Sequence, residues 1–470
     1  MIPVINASKV YSVLGNNNSL VPLAIKDIAN SIGLTAGSYA IGDKAEGQDR
    51  FIDEFGTQAL WLFGIPTYKK VLDATLFKSM GYDHKVDVRV LKNKDIFEKA
   101  KQFAQDEKVK SSFEKIGKNQ KTFKGLTFAK FAISTLLTIG TYGALTHYRH
   151  KYTEDSIRKN ILEQNKKQKV NKAKLKQEST FTSLKTQKSE AFKGVSLKNK
   201  NENKNGEQVN FSGGMSDFMF SPVKNLMLLD GAITGERLGT SRSVQDFLGY
   251  SIKEGSFWIF MYGAGQKIQE YLEKTTEQKH NKSIDLDARV IESEELKNAF
   301  KDNSLTKSIK EVAKAKNDVE LYEFINKNPD NFVVKMAKKS GVVQTICSNE
   351  NMFVKFARRT GMLSKLEHPE VVDTRAYIDL DEFKGVSTKL EKLHNQYKSS
   401  GEDLDTFLNG VKKLKRGSVW KNMGACIFAL GVLTPAIMVA TRYIRKDKNF
   451  EVEEKIKKEL AFEGELDKNA

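Results

Sequence analysis

This chain of 470 residues predicts a mainly α fold: duplicated, membrane-anchored helical units, each ending in a hydrophobic helix, with a small helical insertion in the second half. Three observations carry that prediction. A set of landmarks recurs in the same order about 200 positions apart. Each half runs into a long uncharged apolar stretch. A basic, polar tract separates the halves.

The landmarks come first, because a missed repeat misassigns a whole fold. "VDVRVL" (86–91) returns as "LDARVI" (286–291), with Asp87 and Arg89 matching Asp287 and Arg289 at an offset of 200. Gly56 and Gly64 match Gly255 and Gly263 at 199, Gly33 and Gly37 match Gly231 and Gly235 at 198, and Pro22 matches Pro222 at 200. "ALWLFG" (59–64) faces "WIFMYG" (258–263), both bulky apolar runs closed by Gly. The two D-x-R phrases read as strand-like, so their Asp and Arg alternate on one face and suit a cross-strand ion pair, a structural role.

The elements then follow in order. Residues 1–21 are an N-terminal segment and 22–125 the first repeat core. That core opens with a short helix that has Pro near its start and Gly33 at its end, the usual asymmetry of start and stop signals. Its counterpart opens at Pro222 and ends at Gly231. Residues 126–148 are the first transmembrane helix; "FAISTLLTIGTYGALTHY" (131–148) contains no Asp, Glu, Lys or Arg. Residues 149–210 are a basic polar linker, largely disordered, because Lys, Gln, Asn and Ser bury too little surface to offset ordering entropy. Its first part has helix formers at a workable period and can extend the preceding helix.

The second repeat core covers 211–300, the helical insertion 301–417, the second transmembrane helix 418–443 and a charged tail 444–470. "NMGACIFALGVLTPAIMVAT" (422–441) is long enough to cross a hydrocarbon core of about 30 Å. Trp420 and Tyr443 stand at its ends as interfacial anchors, and Pro435 marks a kink. Within the insertion, "NFVVKMAKKSG" (331–341) and "NMFVKFARRTG" (351–361) match at an offset of 20. Asn331 and Asn351 suit helix N-caps, and Gly341 and Gly361 suit C-terminal caps. The pairs Lys338–Lys339 and Arg358–Arg359 fall in the last turns, where cations complement the helix dipole. They are also the candidate contacts for anionic lipid or an acidic partner.

The charge balance narrows the partners. Lys plus Arg total 77 against 59 acids, a net charge of +18. Such an excess suits anionic lipid, an acidic protein or nucleic acid. Lipid is favoured because bases crowd the hydrophobic helices, and nucleic acid is disfavoured because no recognised binding motif accompanies the charge. The first residues, "MIPVINASKV", lack the basic start and apolar run of a secretory leader. Two cysteines, Cys347 and Cys426, define neither a disulfide framework nor a zinc site.

No catalytic signature stands out, and neither a cofactor nor a metal is expected. The six histidines include no HExxH; His147 and His150 lie three apart without a further ligand. "GLTAGSYAIGDK" (33–44) lacks the ending that cradles phosphate. Charged residues do recur in the cores: Arg50, Asp53 and Glu54 in the first, Arg237, Arg242 and Glu254 in the second. Ion-pair chemistry is their ordinary reading, and a polar site between the halves is the alternative.

The function expected is therefore a non-catalytic, multi-pass membrane anchor with two spanning helices, acting as a binding protein or scaffold. The rival is a small transporter or channel with its pathway between the repeats, lined by Ser134, Thr135, Thr138 and Thr141. Topology separates two arrangements. One crossing per unit puts the cores on opposite sides as inverted repeats. Two crossings put both on one side, and need the short runs 55–66 and 256–265, which better suit re-entrant, interfacial or buried helices.

Overall fold

A computed structural model describes residue 14 and residues 20–40, 44–178, 222–302, 304–347, 370–445 and 451–469. These residues are mainly helical. They form a bundle of long helices with a compact head at one end.

The bundle begins with α1 (Leu20–Ala40). Next comes α2 (44–80), a continuous helix with π-helical turns at Leu60–Gly64 and Asp73–Phe77. The chain then leaves for the head and returns as α5 (Gln120–Glu178), 59 residues and about 90 Å long. The second half repeats this order. α6 (Pro222–Gly239) precedes α7 (244–280), which has a π turn at Trp258–Gly263. After the second head segment, α14 (Leu404–Arg445) returns through the bundle with a π turn at Ala429–Leu433. Two π turns stand just before Pro66 and Pro435. A proline has no N–H and crowds the carbonyl four residues back, and a π turn accommodates both.

The head holds α3 (Lys94–Phe103), α4 (Glu107–Lys118), α8 (Ala288–Ile291), α9 (Glu294–Lys301), α10 (Ser304–Val312), α11 (Asp318–Lys327), α12 (Phe332–Ser340) and α13 (Leu380–Ser400). Side-chain oxygens start these helices. Asn93 accepts from the N–H groups of Asp95 and Ile96, Asp106 from Lys108, and Asn317 from Glu320. Each such cap satisfies a donor that the helix itself leaves open, worth about 1 kcal/mol. Gly341 ends α12 at φ 81°, a left-handed position that favours glycine.

One apolar core joins Phe77, Phe97, Phe113 and Phe123 from the first half to Ile284, Leu296, Leu321, Val334, Phe383 and Phe407 from the second. The segments after Asp87 and Asp287 therefore lie at the same end of the bundle. That excludes the inverted arrangement. At the opposite end α15 (Glu451–Asn469) packs Val452 and Ile456 on Ile157 and Ile161 of α5.

Several expectations are corrected. The D-x-R phrases are not strands. Asp87 caps a 3-10 turn (Val88–Lys92) and Asp287 caps α8. Their ion pairs are local, not cross-strand: Arg89 Nε and Nη2 donate to Asp87 at 3.0 and 2.7 Å, and Arg289 repeats the fork on Asp287. Gly33 and Gly231 do not end helices but sit inside α1 and α6. The first apolar helix runs on past 148, as the helix formers in the first part of the linker suggested, so that residues 149–178 are helical. The short runs 55–66 and 256–265 are the middles of α2 and α7. The insertion is not wholly helical: β1 (Thr345–Cys347) pairs antiparallel with β2 (Glu370–Val372). Arg358 and Arg359 lie outside the described residues.

Candidate functional site: a buried charged seam between the two halves

The inward face of the bundle is ionic. On α2, Asp49, Asp53 and Thr57 follow at intervals of four, with Arg50 and Glu54 beside them. On α5 the sequence Tyr142, Thr146, Arg149 and Thr153 keeps one face; α6 offers Asp230, Thr234 and Arg237, and α7 offers Asp246, Tyr250, Lys253 and Glu254. Helical periodicity therefore presents one polar stripe from each of four helices.

Asp53 is the centre, 1% exposed. Arg149 Nη1 lies 3.1 Å from its Oδ2 and Arg237 Nη2 lies 3.3 Å from its Oδ1. The Tyr142 hydroxyl donates to Oδ1 at 3.0 Å and accepts from Arg237 Nε at 2.7 Å. Arg237 Nη1 then donates to Glu254 at 2.7 Å, and Lys253 Nζ sits 2.7 Å from Glu54. Toward α15, Asp49 accepts from Thr153 at 2.8 Å and from Arg242 Nη2 at 2.7 Å, while Arg242 Nε reaches Asp246. Arg50 is held differently, its guanidinium 4.9 Å from the centre of the Tyr250 ring.

The charges of this seam come in opposite pairs. Asp49, Asp53, Glu54, Asp246 and Glu254 face Arg50, Arg149, Arg237, Arg242 and Lys253, all buried except the half-buried Arg242, while Lys26 and Arg442 are buried nearby. Pairing is what makes such burial tolerable, since an isolated ion in a low-dielectric interior costs several kcal/mol.

Two further carboxylates fall outside those pairs. Trp61 Nε1 donates to Asp27 at 3.1 Å, and the Tyr262 hydroxyl donates to Asp230. In both halves, then, an aromatic from the π-turn segment holds an Asp of the preceding helix. Asp27 and Asp230 line one cavity of about 30 Å³ together with Glu54, Glu254, Arg237 and Lys253. Among the described residues no group of three His, Cys, Asp or Glu is placed to hold a metal ion.

The outward face is the reverse. Phe51, Phe63, Val71, Leu136, Ile259, Phe428 and Val432 are exposed on the same helices. Two helices, Gln120–Lys167 and Leu404–Arg445, are long and apolar enough to cross a membrane.

The structure brings together Arg50, Asp53, Glu54, Arg237, Arg242 and Glu254. Asp49, Tyr142, Arg149, Asp246, Tyr250 and Lys253 were missed; their spacing of three, four or seven residues was the available signal. Ser134 and Thr138 are buried but donate to carbonyls of their own helix. Thr141 also turns back to its own helix and meets Tyr68 at 2.7 Å. The repeated pairs Asp87–Arg89 and Asp287–Arg289 lie in the head, with a third copy at Asp373–Arg375. Arg375 ties it to the first copy, because the Asp87 N–H donates to its carbonyl at 2.8 Å. Burial lifts the Asp87 carboxyl above its usual range although Arg89 opposes it. Lys338 donates to the Pro329 carbonyl at 3.2 Å, and Lys339 to Glu295 at 2.8 Å. Burial works against the Glu295 charge, but Lys339 outweighs it and holds that carboxyl below its usual range.

Comparison with family models, characterised proteins and solved structures returns no match, so the site is read from its own chemistry.

Proposed function

We propose that this chain is a polytopic membrane protein made of two diverged copies of a three-helix unit, and that its buried charged seam carries protons or another small ion between the two sides. The observation that carries the reading is the inverted polarity of the bundle. Nine of the seam's ionisable side chains are buried on helices whose outward faces are apolar. Water would favour the opposite arrangement, and a hydrocarbon solvent favours this one.

The six bundle helices then all cross. α1 and α6 have 21 and 18 residues, about 32 and 27 Å, which suits a hydrocarbon core of about 30 Å. Their average hydropathy is low because it counts inward-facing residues such as Asp27 and Asp230 that lipid does not touch. The matching element order, the paired π turns and the paired D-x-R caps support duplication. With both heads at one end, the copies are parallel and related by an axis along the membrane normal.

Transport is favoured over a passive anchor by Asp27 and Asp230. They are the two carboxylates at the central cavity that lie outside the paired seam, each held by an aromatic donor. An uncompensated carboxylate in a low-dielectric site has reason to take up a proton or cation. The test is flux. Liposomes carrying the full chain and a pH-sensitive dye should dissipate an imposed proton gradient faster than empty ones. Asp27→Asn combined with Asp230→Asn should abolish the difference. If wild-type liposomes hold proton, Na+ and K+ gradients as well as empty ones do, the transport reading fails. The seam is then a static strut, and the membrane scaffold takes its place.

A further inference from the structure

A second recess lies near the α15 end of the bundle, between α1, α2, α7 and α14, with a volume of about 40 Å³. Its floor is Arg50, which is 7% exposed. Arg149, Arg237 and Arg242 each donate a hydrogen bond at 2.7 Å. Arg50 stands apart. Its nearest carboxylate oxygens, on Glu54 and Asp53, are 3.8 and 3.9 Å away, and its Nη1 is buried without an acceptor. Those same oxygens lie closer to other cations, Glu54 Oε1 2.7 Å from Lys253 Nζ and Asp53 Oδ2 3.1 Å from Arg149 Nη1. One nitrogen of a five-donor guanidinium is thus left without a hydrogen-bond acceptor in a buried position.

Gly249 lines the recess without a side chain, between Met438 and Arg50. A Cβ there would lie 3.5 Å from Met438 Cε and 3.7 Å from Arg50 Nη2. The walls are apolar: Leu248 and Ile252 from α7, Met438 and Val439 from α14. The same two helices expose Phe247 and Ile437 beside them. At the rim stand Arg442 and Arg445. The charged residues lining the recess are Arg50, Arg442 and Arg445 against Glu46 and Asp246, an excess of one positive charge.

We propose that this recess binds an anionic phospholipid, with phosphate oxygens accepting from Arg50 and an acyl chain lying along the walls. Charge complementarity selects the anion, and the apolar walls select a lipid over a free inorganic ion. The inference rests on the membrane reading above but not on transport, since it is read by lipid occupancy and not by flux.

The test uses the full chain in nanodiscs, with bound lipid counted by native mass spectrometry. Phosphatidylglycerol, phosphatidylcholine and oleate are titrated separately. Wild type should hold phosphatidylglycerol about ten-fold more tightly than phosphatidylcholine, the scale of one charge-assisted contact. Gly249→Phe fills the recess and leaves Arg50 in place, so it should erase the preference while the unfolding temperature stays near wild type. Met438→Trp fills it from the opposite wall and serves if the first variant fails to fold. Arg50→Lys keeps the charge but loses the fork, and should weaken binding about ten-fold. Equal affinity for both headgroups, or an unchanged preference in the filled variants, overturns the site. Oleate binding as tightly as phosphatidylglycerol overturns the phospholipid assignment.

Discussion

Arg149 and Asp53 illustrate how much a single side chain carries here. Each is 1% exposed, and they lie 3.1 Å apart. Removing one partner strands the other's charge, which costs about 3–5 kcal/mol for a buried pair. Arg149→Met is expected to destabilise by that amount in denaturant unfolding, and Asp53→Asn in the same background should add much less than it does alone. A coupling near zero would mean that the pair is not formed. His394 gives a pH handle in the head. It packs 5.0 Å from the Phe300 ring, and burial, aided by the Lys398 ammonium, lowers its pKa from 6.5. The unfolded chain therefore binds the proton more readily than the folded head. The contribution of His394 is fully present above 6.5 and is lost as the pH falls through that value toward the lower folded one. Amide exchange protection in 380–411 should drop between about pH 7.5 and about pH 5.5, and His394→Leu should flatten the change. An equal drop in the variant would place the pH sensitivity elsewhere.

Helix contacts explain what looked like punctuation. Gly33 reads as a helix end in sequence, but its role is close approach: a Cβ there would lie 2.1 Å from the Gly431 carbonyl oxygen of α14. Gly37 meets Pro435 in the same seam. Small residues let two backbones touch, a packing mode suited to membrane helices. Gly33→Leu is expected to force α1 off α14 and to destabilise by at least about 1–3 kcal/mol. Gly140→Leu on α5 is the control, because nothing lies within 4 Å of that position. Equal unfolding midpoints for the two variants would rule out the close crossing. The π turns also act at this scale. Those at Leu60–Gly64 and Trp258–Gly263 lie in the bulky apolar runs already visible as a repeat, and each carries an aromatic, Trp61 or Tyr262, to an Asp on the neighbouring helix.

The shared head sets the topology of the whole molecule. Phe97 and Phe113 from one half and Phe383 and Phe407 from the other lie in one core, so both halves face the same way. Single cysteines are therefore expected to report common sidedness. In a background without Cys347 and Cys426, Lys94→Cys and Glu294→Cys should label from one side of sealed vesicles with an impermeant thiol reagent. Glu163→Cys, beyond the charged seam on α5, should label from the other. Labelling of Lys94→Cys and Glu294→Cys from opposite sides would contradict the single head. The long helices make this separation possible: α5 begins in the head, passes Asp53 through Tyr142 and Arg149, and meets α15 at Ile157.

Helical class, the recurring landmarks and the two longest apolar stretches were legible in sequence because each depends on residues close along the chain. Helix caps such as Asn331 and Gly341 were legible for the same reason. Six of the ten charged residues of the seam were visible as misplaced charge: Arg50, Asp53, Glu54, Arg237, Arg242 and Glu254. Only the tertiary structure paired it, because its bonds join residues far apart: Tyr142 to Asp53 across 89 positions, Arg242 to Asp49 across 193, Arg442 to Glu46 across 396. Local periodicity states which face of a helix is polar. It does not state which helix answers it, and that choice is made when the apolar core of the head brings both halves to one end and aligns their polar stripes.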